Sequence, residues 1–150
     1  MLDIREYAKV IDDLLPQNSK EMELIANVYN TLNEALPTTS AQAFARLSLL
    51  DSYKPQISAL IFGLSLQLSQ LQRSHEVAYN RAYTKWVNVG TKPSHTAIEA
   101  QIYKDDGEMF SQKYVLDDYK ILIEFVKALN WDIDKARESV ALAWKDANIY

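Results

Sequence analysis

From Ile57 onward the apolar and small positions Ile57, Ile61, Leu64, Leu68, Leu71, His75, Ala78 or Tyr79, Ala82 and Trp86 follow one another without interruption, at a mean spacing of about 3.6 residues. That period belongs to one straight helix of about 30 residues, roughly 45 Å long. So long a helix outruns what a 150-residue chain covers with its own domain, and part of its surface is expected to meet another chain. Phe62 and Leu66 lie off the main stripe and widen the apolar face, which favours the same conclusion.

Only three glycines and four prolines are available to make turns, too few for a sheet protein with many tight connections, so long helices are the economical reading. The length suits one domain, or a smaller core plus a helical hairpin, and allows a real interior. With 48% hydrophobic and 24% charged residues the chain reads as globular. Absence of cysteine excludes disulfides, thiolate metal sites and cysteine nucleophiles, and is compatible with a reducing cytoplasm. Acidic residues in MLDIREYAKVIDD stand where an export signal needs a basic lead and an apolar run, so none is visible. Ile57 to Leu71 is interrupted by Ser58, Gly63, Ser65, Gln67, Ser69 and Gln70 and falls short of a membrane span.

Spacings of three and four in Ile4, Tyr7, Ala8, Ile11, Leu14 and Leu15 predict a first helix from Asp3 to Leu15, ended by Pro16. Asn18 and Glu21 form a capping-box pattern before a second helix with a seam of Met22, Ile25, Tyr29, Leu32 and Leu36. Thr39 with Gln42 caps a third, its buried side Phe44, Leu47 and Leu50. Pro55 suits the first turn of the next helix, with Asp51 or Ser52 near the cap, which divides an N-terminal helical region (1–54) from a long-helix and C-terminal region (55–150). Gly90 and Lys92-Pro93 end the long helix, and Thr96 with Glu99 opens a short one that stops near Asp105-Asp106-Gly107. A helix over 108–129 buries Val115, Tyr119, Leu122, Val126 and Leu129. Asn130 or Asp132 then caps a last helix with Ile133, Ala136, Val140, Trp144 and Ala147 facing inward. The predicted fold is all-α: an N-terminal helical cluster, a long central helix and C-terminal helices folding back on it, in an oligomer.

Catalytic patterns are missing. His75 and His95 are the only histidines and neither makes a ligand pair at helical spacing. Asp105-Asp106-Gly107-Glu108 lacks the alternating oxygens of a calcium loop and reads as a turn. Glu99, Asp105 and Glu124 serve acid–base work only if the fold gathers them. The scattered glycines Gly63, Gly90 and Gly107 form no phosphate cradle, which speaks against an ATPase. The expectation is a protein without catalytic activity, cofactor or metal.

Charge is unevenly distributed. Residues 1–45 hold three basic and seven acidic side chains, 46–98 six and two, and 99–150 seven and eleven, so a basic middle lies within a chain of net charge −4. Arg81 and Lys85 are four apart and share a helix face; Tyr79, Tyr83 and Trp86 share another, and Lys92 follows in the loop. Cations beside rings that stack on unpaired bases suit sequence-tolerant single-strand binding. Arg73 and Lys54 extend the possible phosphate track. The competing reading makes the aromatics core and the cations merely solvated.

The order Val77-Ala78, Arg81, Tyr83, a loop, Lys92-Pro93-Ser94, Glu99-Ala100, Ile102, Asp105, then Lys113, Leu116, Leu122, Glu124, Phe125, Ile133 and Arg137 resembles the phage UvsY-type recombination mediators over residues 70–148. The resemblance implies a small all-helical, ring-forming homo-oligomer that binds single-stranded DNA and hydrolyses nothing. Its implied partners are a RecA-like recombinase, which it helps load onto DNA, and a single-strand-binding protein; its implied setting is the cytoplasm of an infected bacterium, with no membrane. The family's Lys-x-Arg pair falls on Tyr79 and Arg81, so only the arginine is kept. Lys85 and Lys92 then supply the missing charge, and Tyr79 a stacking contact. Residues 1–54 look unlike the family's shorter N-terminal region. The alternative function is a phage structural or assembly protein, a neck, scaffold or chaperone component acting through helix–helix contacts.

Overall fold

A computed structural model describes residues 3–87 and 94–149, with side chains placed through residue 146. Every regular element among the described residues is helical: a 3₁₀ turn at Ile4–Glu6, then α1 (Ala8–Leu14), α2 (Lys20–Leu32), α3 (Ser40–Val87), α4 (His95–Asp105) and α5 (Gly107–Ile149). None of these helices is both long and apolar enough to cross a membrane. The expected caps at Gly90 and Lys92-Pro93 lie outside the described residues.

Local chemistry explains where the observed boundaries depart from the periodicity. The first helix is not continuous from Asp3: the Asp3 carboxylate accepts from Arg5 N at 3.0 Å, which tightens the entry into a 3₁₀ turn, and α1 begins only after Tyr7. Asn18 is no cap but takes a left-handed φ of 60°, a conformation asparagine tolerates, and hands capping to Ser19, whose Oγ accepts from Met22 N at 3.2 Å. α2 stops at Leu32, not Leu36, with Asn33 Nδ2 donating to the Tyr29 carbonyl. Thr39 caps as expected, its Oγ1 accepting from Gln42 N at 3.2 Å. At the start of α4, Ser94 rather than Thr96 is the cap and accepts from Ala97 N.

Two expected breaks do not occur. Pro55 lies inside α3. The carbonyl of Asp51 loses its usual N–H donor there, but both residues are exposed, so the cost is not that of a buried orphan carbonyl. Side chains brace the same turn: Gln56 Nε2 donates to the Ser52 carbonyl at 2.9 Å and Ser52 Oγ to the Leu49 carbonyl at 2.6 Å. Buried Leu50, Ile57 and Leu60 hold the helix to its packing on either side. Likewise α5 passes through Asn130 and Asp132, where neither glycine nor proline obliges it to stop. Asn130, expected as a cap, instead carries a buried Oδ1 with no hydrogen-bond partner. Asp106 does separate α4 from α5, capping the latter by accepting from Met109 N at 3.1 Å.

The chain forms two compact units. One comprises residues 1–64 and 121–150. Its buried side chains include Ile11, Leu15, Ile25, Val28, Leu50, Ile57, Leu122, Phe125, Val126, Leu129 and Ile133, and the Tyr7 ring stacks on Phe125 with centroids 4.5 Å apart. Within it α3 and α5 are clasped by mirrored ion pairs, Asp51–Arg137 at 2.7 Å and Lys54–Asp134 at 2.6 Å. Thr31 Oγ1 lies 3.4 Å from Tyr53 Oη, linking α2 to α3. Phe44, expected inside, is 60% exposed and meets Trp144 edge-on, while its neighbour Ala43 is buried in its place. The other unit, residues 65–120, is built by the end of α3, α4 and the start of α5. Its buried side chains include Ile98, Ile102, Met109 and Leu116, and Val115, expected to be buried, is exposed.

Candidate nucleic-acid interface

The candidate residues stand on the last four turns of α3, within the unit of residues 65–120. Helical spacing sorts them into two groups with different surroundings. Tyr79, Tyr83 and Trp86 pack, together with Ala78 and Ala82, against Ile98, Ile102 and Met109. Arg73, Arg81 and Lys85 are exposed, and no carboxylate among the described residues pairs with any of them. Of the two readings of the aromatic residues, packing in the core is the one the structure displays: these rings are half-buried, with part of each surface against apolar side chains. Lys54 belongs to the other unit and is engaged by Asp134, so it is no free cation. Lys92 lies outside the described residues.

The aromatics continue into a network that the sequence did not signal. His75 stacks on Tyr103, with centroids 6.3 Å apart and planes 15° apart, and Tyr79 lies 6.1 Å from Tyr103 and 6.2 Å from Tyr83. Gln112 Oε1, an acceptor, is 3.3 Å from His75 Nδ1, so in the neutral ring Nδ1 carries the proton and Nε2 accepts from the Tyr103 hydroxyl, also at 3.3 Å. Tyr83 Oη and His95 Nδ1 are 3.3 Å apart, and the far side of His95 faces Glu99 at 3.9 Å. Lys113 Nζ sits 5.0 Å from the centre of the Tyr103 ring. Burial, reinforced by Glu99, Tyr103 and Tyr83, raises the Tyr79 hydroxyl above the ordinary tyrosine pKa. His75 was legible only as one apolar-stripe position; Tyr103 and Gln112 lie 28 and 37 residues away, and no local pattern joins them to it.

The arrangement offers charge at the surface and aromatic rigidity beneath it. Arg81 and Lys85, one helical turn apart, present donors for two anionic oxygens about 6 Å apart along the helix. Acid–base chemistry finds no assembled set here: Asp105 accepts from Gln101 at 2.7 Å, Glu99 faces His95, and Glu124 belongs to the other unit. Among the described residues no three histidine or carboxylate side chains converge to hold a metal ion. Compared with protein-family models, curated proteins and solved structures, the chain matches none of them.

Proposed function

We propose that this chain is a non-catalytic, single-stranded-DNA-binding protein of the recombination-mediator kind, acting as a homo-oligomer that helps load a RecA-like recombinase onto DNA held by a single-strand-binding protein. One observation carries the reading: Arg81 and Lys85, with Arg73 on the same helix, are exposed and have no carboxylate partner among the described residues, in a protein whose net charge is −4. An unpaired cation has its full charge available to a phosphate, and displaced counterions supply the affinity. Copies of the pair aligned in an oligomer add through effective concentration.

Fluorescence anisotropy of a labelled single-stranded oligonucleotide, with a duplex control, tests this at two salt concentrations. Two phosphate contacts per chain contribute about 1.4 to the slope of log affinity against log salt for a single strand, or about sevenfold between 50 and 200 mM. Replacing Arg81 and Lys85 by glutamate is expected to abolish binding with helicity unchanged; full affinity in that variant refutes the assignment. A second reading, an assembly protein working through helix–helix contacts, is favoured by Phe62, 71% exposed on α3. It predicts partner or self-association with no salt-dependent affinity for DNA.

A further inference from the structure

The outer face of α5 between residues 127 and 146, all within the unit of residues 1–64 and 121–150, carries a second pattern. Trp131, Lys135, Glu138 and Leu142 follow at steps of four, three and four, which puts them on one stripe of the helix. The stripe turns away from the core, to which α5 contributes Leu122, Phe125, Val126, Leu129, Ile133 and Val140 among others. Trp131 is 61% and Leu142 63% exposed, large apolar surfaces to leave in water on one helix face. Lys135 Nζ lies 3.5 Å from the centre of the Trp131 ring, and neither Lys135 nor Glu138 makes an ion pair among the described residues.

The order of these side chains is its own complement. Lay a second α5 antiparallel on the first, with the twofold axis between Ala136 and Arg137. Trp131 then faces the other copy's Leu142, Lys135 faces its Glu138, and Lys127 faces its Asp146, each contact occurring twice. A parallel alignment instead sets Lys135 against Lys135 and Glu138 against Glu138, which like-charge repulsion disfavours. We infer that this stripe is a self-association surface whose occupant is the same stripe of a second copy, packed antiparallel. Beside it lies a groove of about 650 Å³ whose lining combines apolar Leu47, Trp131, Ala141 and Trp144 with three charged side chains. The paired positions extend over about 28 Å of helix, which sets the interface at the small end of specific contacts and makes the dimer concentration-dependent.

The inference rests on the homo-oligomer part of the proposed function and is independent of DNA binding. Sedimentation velocity over a concentration series tests it with two single variants. Lys135→Glu and Glu138→Lys each place like charges opposite one another twice and are expected to weaken self-association at least tenfold. Mixed together, the two variants are fully complementary and are expected to recover it as a heterodimer. Because the chain has no cysteine, register can be read by oxidation. Trp131→Cys with Leu142→Cys should give a covalent dimer, whereas Trp131→Cys alone should not. Failure of the mixture to associate, or crosslinking of the single cysteine variant as efficient as that of the double, overturns the proposal. An unmodified protein that is oligomeric yet indifferent to both charge variants would overturn this surface while leaving the homo-oligomer reading standing.

Discussion

Ile102→Ala tests the core beneath the candidate interface. Ile102 is 1% exposed and sits with Ile98 and Met109 under Tyr79, Tyr83 and Trp86. Truncation removes three carbons, about 2.4 kcal/mol of transfer free energy at roughly 0.8 kcal/mol per carbon. Incomplete collapse around the vacated space adds a cavity term, and such truncations cost about 2–5 kcal/mol in all. Here the collapse is poor, because the neighbours on the α3 side are ring systems in contact with one another, so about 3 kcal/mol is expected. Urea unfolding followed by Trp86 fluorescence measures it, with Trp131 and Trp144 replaced by phenylalanine in both proteins. At a slope of about 1–3 kcal/mol per molar urea, the midpoint moves down by about 1–3 M. A loss below about 1 kcal/mol, or Trp86 emission that does not report the transition, refutes the packing on which the reading of these aromatics depends.

Pro55→Ala restores an N–H for the Asp51 carbonyl and removes the ring's steric conflict inside α3, so stability should rise, by about 1–3 kcal/mol, read as a higher Tm. Asn130→Leu removes the buried unsatisfied Oδ1 while keeping the branching of the side chain and should stabilise by about 1–2 kcal/mol in chemical denaturation. Tyr79, whose folded pKa is raised, contributes stability that is complete below the unfolded tyrosine value of 10.0 and is lost as pH rises from there through the folded value. Tyr79→Phe should therefore flatten this part of the alkaline loss in a stability–pH series; an unchanged profile would contradict the assigned cause.

The all-helical fold was legible because periodicity and the scarcity of glycine and proline agreed. Boundaries were less legible where a rule about one residue type met a tertiary circumstance. Pro55 is a helix breaker by its own chemistry, yet its turn faces water and is braced by Gln56 and Ser52, so continuing costs less than the rule implies. Asn130 is a good cap by composition, but the apolar positions Val126, Leu129 and Ile133 on either side share one buried stripe, and a break there would split it. Phe44 was misplaced because a seam shifted by one residue fits the same spacing, and Ala43, too small to advertise itself, takes the inward position. The cations of the candidate site were readable because charge on a solvated helix face needs no tertiary information. The network of His75 with Tyr103 and Gln112 was not, since it joins α3 to α4 and α5 across long stretches of sequence.

Placing the aromatics against a core changes what binding at this surface would look like. Stacking on a base needs a free ring face, whereas Tyr79 packs against Tyr83, Tyr103 and apolar side chains, and Tyr83 shares a contact with His95. Recruiting either ring for a base would forfeit core contacts comparable in worth to the roughly 1–3 kcal/mol that a stacked base returns. Binding would then rest on Arg73, Arg81 and Lys85, and point charges do not distinguish one base from another. What they do distinguish is phosphate spacing and backbone compliance: a flexible single strand can fit its phosphates to cations held on a rigid helix, while a duplex presents them at fixed positions. Single-strand preference in this protein is therefore expected to be modest and to shrink as salt rises. A strong preference that survives in high salt would instead require rings released from the core, and Tyr79→Phe, Tyr83→Leu and Trp86→Leu would identify which.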